Sequence, residues 1–373
     1  MDTRIQQLGA FGQSVWIDYI SRDILENGTL KMMIDQGVRG MTSNPTIFDK
    51  AISGSALYDP QIKKYAEQGK TSYEICDIIT IKDIQDAADM FRSVYDQSGG
   101  VDGYVSLEIN PYCSDDGKET FAIGKDLKMR VNRPNVMFKV PGTQDGNFAI
   151  EELTAAGVNV NVTLLFSVEQ YRCSAAAYIR GLRRCLEREG DIRSIRSVAS
   201  IFVSRIDTAV DTMIDEKVKG GQQAIADLRG CAATASCAVC YDAFIENFGG
   251  EFSYLRSRGA NIQRVLWGST GTKNPSYSDI KYVTELIGKD TVSTMPQQTF
   301  QAFLDHGIVV QALPADIANT ARVINTLRAA GIDIDMVCDK LQKDGIDIFK
   351  KSFDSLIKSI EQKSQLAAAA VQS

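Results

Sequence analysis

Eight short runs of β-forming residues, each bounded by polar or turn residues, constrain the fold of this chain more than any other feature. They lie at 14–19, 37–43, 102–109, 135–140, 158–163, 198–204, 264–269 and 291–295. Most are near-continuously apolar, as strands covered on both faces of a parallel sheet are. Helical periodicity fills the gaps. Residues 168–186 place Val168, Tyr171, Ala175, Tyr178, Ile179, Leu182 and Leu186 on one face, and 71–95 and 205–218 read the same way. Near the C-terminus Phe349, Phe353, Leu356, Ile357 and Ile360 form a further stripe. Parallel strands need crossovers, so this alternation belongs to the α/β class. The eight runs predict a (β/α)8 TIM barrel with extra helices after strand 2, within 45–101, and at the C-terminus, within 313–365. An open doubly wound sheet is the alternative, but no run is followed by G-x-G-x-x-G or G-x-x-x-x-G-K-[ST]. In a chain of 373 residues, one barrel domain is expected over 1–365 and a flexible tail or frayed helix end over 366–373.

Charge and composition narrow the function. A net charge of −6 gives no reason to expect nucleic acid or an anionic membrane as a partner. The densest basic stretch, 180–197, is interleaved with Glu187, Glu189 and Asp191 and reads as a solvated helix face and turn. No apolar run reaches the ~18 residues of a transmembrane helix. The start, MDTRIQQLGAFGQ, lacks the basic and apolar regions of a secretory signal. The expected compartment is the cytoplasm, with a plastid as the alternative had a transit peptide been removed. Eight cysteines in a chain this long read as free thiols rather than a disulfide framework. Cys237-x-x-Cys240, with Cys231 upstream, has redox or metal spacing, yet it sits in an Ala-rich helical stretch where small buried cysteines are ordinary. His306 is the only histidine, so a Ser-His-Asp triad or a multi-histidine metal site would rest on it alone. No metal and no cofactor are expected, and chemistry falls to Lys, Asp, Glu, Ser, Thr, Tyr or Cys.

In a barrel of this class chemistry sits at the C-terminal ends of the strands. Read in order, those ends carry Asp18; Thr42, Ser43 and Asn44; Glu108 and Asn110; Lys139; Asn161 and Thr163; Ser200, Ser204 and Arg205; Ser269, Thr272 and Lys273; Ser293 and Thr294. Several have ordinary explanations. Asp18 in IDYISRD reads equally as a helix cap, and Asn44 before Pro45 as a turn. Glu108 in VSLEIN and Lys139 in MFKV are harder to explain, because an unpaired charge in an apolar strand is costly. A buried Lys139–Glu108 pair would satisfy both structurally. The other reading is that Lys139 serves as a neutral amine, since desolvation disfavours the ammonium. One lysine, two carboxylates and several amides and hydroxyls in one mouth suit Schiff-base chemistry. An amine attacks a ketone, and the protonated imine then takes up the electrons of a breaking C–C bond. Carboxylates of tunable pKa move the protons, and a cation such as Arg205 or Lys273 binds a phosphate.

Several stretches together resemble the transaldolase family. GMTSNPTIF (40–48), NVMFKVPGT (135–143), NVNVTLLFSVEQY (159–171), ASIFVSRID (199–207) and VLWGSTGTKNP (265–275) match in the expected order. With SVWIDYISRD and TMPQQTFQAFLDHG the likeness runs from about residue 10 to about residue 360. It implies that Lys139 forms the Schiff base and that Asp18 exchanges the proton of the hydroxyl beside the cleaved bond. Glu108 and Thr163 would hold the water through which protons move. Asn44 and Asn161 would orient the dihydroxyacetone unit, with Ser200 on its terminal hydroxyl and Thr42 and Ser43 beside them. Arg205 and Ser269 would bind the phosphate. Where many relatives carry a second phosphate-binding arginine this chain offers Lys273, a point charge rather than a planar fork. Gly142 stands where alanine is usual after KVP. The implied reaction moves dihydroxyacetone between sedoheptulose 7-phosphate and glyceraldehyde 3-phosphate, giving erythrose 4-phosphate and fructose 6-phosphate. The expected partners are these sugar phosphates, and monomer and homodimer stay open. The alternatives are a fructose 6-phosphate aldolase, whose relatives lack the extra helices, and a silent sugar-phosphate-binding barrel.

Overall fold

The computed structural model describes residues 2–372, with side chains described as far as Leu366. Eight parallel strands close on themselves in chain order. They are β1 (Gln13–Ile17), β2 (Val38–Thr42), β3 (Tyr104–Glu108), β4 (Val136–Pro141), β5 (Val160–Leu165), β6 (Ser197–Phe202), β7 (Gln263–Gly268) and β8 (Thr291–Met295). Every expected run overlaps one of them, with bounds one or two residues apart, and the expected bounds of β8 coincide with the observed ones. Pairing of β1 with both β2 and β8 closes the sheet, so the chain is a (β/α)8 barrel.

Each apolar run splits into two faces because side chains alternate along a strand. Trp16, Tyr104, Met137, Val198, Leu266 and Val292 fill the barrel interior as one cluster. Their outward neighbours, among them Val15, Val38, Val105, Phe138, Val162 and Ile201, join the larger core beneath the helices. Gly40 pairs in register with Trp16. A Cβ at Gly40 would lie 2.6 Å from the indole ring, so this glycine makes room for the largest side chain in the barrel.

Extra helices fall after β2 and after β8 as expected, but others were not expected: Arg4–Phe11 precedes β1, Arg22–Glu26 and Thr29–Asp35 lie between β1 and β2, and Ala232–Asn247 and Ser253–Ser257 follow Ser204–Lys219 between β6 and β7. Pro45–Gly54, Asp59–Glu67, Ser72–Met90 and Arg92–Gln97 lie between β2 and β3. The single helix expected at 71–95 is interrupted at Phe91, whose side chain is fully buried. After β8 come Gln297–His306, Ile317–Ala329 and the long helix Ile334–Gln372. The long helix buries Phe349, Leu356 and Ile360. It crosses the strand ends, where Gln342 Nε2 donates to Gly142 O at 3.1 Å and to Leu164 O at 3.0 Å. Of the tail expected at 366–373, residues 366–372 fall on this helix, and Ser373 and the side chains past Leu366 lie outside the described residues. Among the described residues no helix is long and apolar enough to cross a membrane.

Candidate active site

A cavity of about 270 Å³ opens at the C-terminal ends of the strands, and Asp18, Thr42, Asn44, Lys139, Ser200, Arg205, Ser269 and Lys273 all line it. The period of two explains most of this set. The positions inward with Trp16, Met137 and Val198 are followed two residues later by Asp18, Lys139 and Ser200. The sheet register sets Glu108 beside Lys139 and Lys139 beside Asn161.

Lys139 is only 4% exposed. Its Nζ donates to Ser43 O at 3.0 Å and lies 3.4 Å from Glu108 Oε2. That carboxylate oxygen is buried without a hydrogen-bond partner. Burial raises the Glu108 pKa above the ordinary carboxylate value, with the nearby Lys139 ammonium opposing and the Asp18 charge adding to the rise. Asp18 lies just past β1, and its Oδ1 accepts from Thr42 Oγ1 at 2.7 Å. It caps no helix, because the next helix, Arg22–Glu26, starts after Ser21 without a side-chain cap. Thr42 Oγ1 also meets Thr294 Oγ1 at 2.8 Å.

Behind the cavity wall, Asn161 is fully buried, donating to Ser106 Oγ at 3.0 Å and accepting from Ser200 Oγ at 2.6 Å. Thr163 is fully buried too, and its Oγ1 has no partner. Asn44 starts the helix Pro45–Gly54 by accepting from Ile47 N at 2.9 Å. Ser43 departs from the substrate-binding expectation. One residue out of step with Thr42, it turns its hydroxyl away to donate to Ser106 O at 2.7 Å and offers Lys139 only its carbonyl.

The anion-binding expectation rests on Arg205, Ser269 and Lys273. Arg205 has no ion-pair partner among the described residues, and burial lowers its pKa while Asp18 opposes. Ser269 adopts a left-handed backbone with φ of 54°, a conformation that costs a non-glycine residue about 1–2 kcal/mol. Its Oγ lies 2.9 Å from Ser204 Oγ. Lys273 is exposed at the rim.

Gly142 has a structural reason. A Cβ there would lie 2.2 Å from Leu165 Cδ2, so alanine would require that leucine side chain to turn aside. His306 lies away from the cavity, exposed between Asp279 and Asp305, which raise its pKa. Cys237 and Cys240 are buried free thiols on the helix Ala232–Asn247, and burial pushes Cys240 up to about 12. Sequence reasoning missed Thr46, Lys50, Phe202 and Phe349, which also line the cavity. Phe202 had a signal, two residues past Ser200 on β6. The other three sit on helices, whose facing is set by packing. A second cavity, of about 320 Å³, is walled mainly by apolar groups such as Phe48, Leu107 and Leu356, and Asn44 and Glu108 line it as well. The lysine and Asp18 open onto the first.

A (β/α)8 barrel with a lysine, two carboxylates and a cationic rim at its mouth defines a class, and sequence comparison agrees with it. The sequence model of the Transaldolase/Fructose-6-phosphate aldolase family matches residues 15–360, and the chain belongs to that family. Within it, "Transaldolase" of Trichodesmium erythraeum is 43% identical over 361 residues, 94% of this chain and 95% of its own. "Transaldolase" of Saccharopolyspora erythraea is also 43% identical, over 97% of this chain and 98% of its own. "Transaldolase 2" of Nostoc punctiforme is 42% identical over 96% of each.

Proposed function

We propose that the chain is a transaldolase working through a Schiff base on Lys139. The observation that carries this reading is a 4%-exposed lysine 3.4 Å from a buried carboxylate, opening onto a cavity that Asp18 also lines. Lys139 Nζ adds to the ketone carbon of sedoheptulose 7-phosphate or fructose 6-phosphate, and loss of water gives a protonated imine. Asp18 takes the proton of the hydroxyl beside the bond to be cleaved. That bond breaks, its electrons move into the imine to give an enamine, and the aldehyde phosphate leaves. An acceptor aldehyde then forms the new C–C bond with the enamine carbon, Asp18 returns the proton, and water releases the product from Lys139.

The other residues serve this sequence in support. Glu108 and Thr163, with a bare oxygen each, hold the water that carries protons to and from the imine nitrogen. Asn44 and Asn161 orient the dihydroxyacetone unit, and Ser200 meets its terminal hydroxyl. Thr42 fixes Asp18. Arg205, Ser269 and Lys273 hold the phosphate. The same reading carries the pentose phosphate pathway as the metabolic setting, the cytoplasm as the compartment and 1–365 as one domain.

The test is a product assay with fructose 6-phosphate and erythrose 4-phosphate. Sedoheptulose 7-phosphate and glyceraldehyde 3-phosphate are expected, with free dihydroxyacetone only a minor product. Dihydroxyacetone as the main product would make the chain an aldolase instead, and no product at all would make it a silent barrel.

A further inference from the structure

Four cationic side chains line the mouth cavity: Lys50, Lys139, Arg205 and Lys273. Lys139 is committed to Ser43 O and Glu108. The other three have no ion-pair partner among the described residues, and no carboxylate follows Lys50 one turn on, as Asp35 follows Lys31 and Asp344 follows Lys340. Among the described residues Asp18 is the only carboxylate on the cavity wall, and it is already bonded to Thr42. Such a surplus of unpaired positive charge around one cavity is an anion site.

Lys50 faces this cavity for a geometric reason. On the helix Pro45–Gly54, Thr46, Ile47 and Lys50 follow the spacing of a single helix face, and all three line the cavity. Its neighbour Asp49 is turned off that face, accepting from Ser359 Oγ on the long C-terminal helix at 3.0 Å. The helix bearing Lys50 follows β2 and Arg205 follows β6, four strands apart in a closed barrel of eight, so the two reach the cavity from opposite walls.

We propose that Lys50 is a specificity-determining residue that binds the substrate phosphate from the wall opposite Arg205. This rests on the transaldolase reading, because it takes the anion to be the phosphate of a sugar. Lysines on flexible stems are suited to the task. The phosphates of fructose 6-phosphate and sedoheptulose 7-phosphate sit one carbon apart in distance from the imine. Lys50 and Lys273 can follow both positions, where a planar arginine fork favours one.

The test compares erythrose 4-phosphate with unphosphorylated erythrose as acceptor, at saturating fructose 6-phosphate. The ratio of their kcat/KM values is expected to fall about tenfold in Lys50→Met, as loss of one charge-assisted contact implies, and to recover in Lys50→Arg. A ratio that stays at the wild-type value, or an equal fall for both acceptors, would overturn the proposal. Calorimetric titration with inorganic phosphate gives an independent arm, with affinity expected to weaken about tenfold in Lys50→Met. If the unmodified chain transfers nothing, the transaldolase reading fails, and the titration still decides on Lys50: equal phosphate affinity in both proteins overturns its role.

Discussion

At the N-terminal end of the barrel Arg264 meets Asp102; at the C-terminal end Lys139 meets Glu108. Both pairs are largely buried, yet they are finished differently. Arg264 donates to Ser14 Oγ, Val101 O and Asp102 Oδ1, each at 2.8 Å, and Ser14 Oγ donates to Asp102 Oδ2 at 2.8 Å. Both carboxylate oxygens are satisfied. At the other end the ion-pair distance is 3.4 Å, and Glu108 Oε2 and Thr163 Oγ1 have no hydrogen-bond partner. A saturated buried network holds structure together, while bare buried oxygens beside an amine leave room for water and a reacting carbonyl. The same ingredients thus give a plug at one end and, on the proposed function, a reactive site at the other.

The largest expected effect separates the two ends by function. Lys139→Ala should lower transfer activity by roughly 10⁴-fold or more, the scale seen when a covalent nucleophile is removed. Its unfolding midpoint should move little, because Glu108, already biased toward its neutral form, can keep a proton once the ammonium is gone. Loss of the fold instead would make the upper pair structural. The converse variant is next in size. Arg264→Met strands Asp102 and should cost about 3–5 kcal/mol in denaturant unfolding, as breaking a buried pair does. Its turnover per folded molecule should match that of the parent. A fall in kcat with stability intact would erase the distinction.

A smaller effect appears in pH dependence. The folded-state pKa of Glu108 is raised above the ordinary carboxylate value near 4.5. Its contribution to stability is therefore fully present below about 4.5 and is lost as pH rises through the raised folded value. Glu108→Gln cannot ionise, so its stability relative to the parent should improve as pH climbs through that window. Unfolding midpoints of both proteins across that range give the comparison. A gap that stays constant with pH would mean that Glu108 ionises as freely folded as unfolded.

How much of this was legible in the sequence follows from locality. Lys139 and Glu108 stood out because a charge inside an apolar strand needs a reason wherever the strand ends up. Asp18 was ambiguous, since a carboxylate at a strand-to-helix junction serves a cap or a site, and only Thr42 on the next strand decides which. Ser43 and Thr42 were indistinguishable until the register put one in the barrel and the other behind it. Arg264 carries the same kind of signal as Lys139, but its partner precedes a strand more than half the barrel away in sequence. Gly142 made sense only once Leu165 was seen packed against it. Lys50 and Phe349 depend on how helices pack over the mouth, which no local pattern dictates.

The central claim is that Lys139, and no other lysine, is the nucleophile. Incubation with fructose 6-phosphate followed by borohydride reduction should leave one dihydroxyacetone-derived adduct, mapped by mass spectrometry to the peptide carrying Lys139, with none in Lys139→Ala. An adduct on another lysine, or full transfer activity with no adduct, would contradict it.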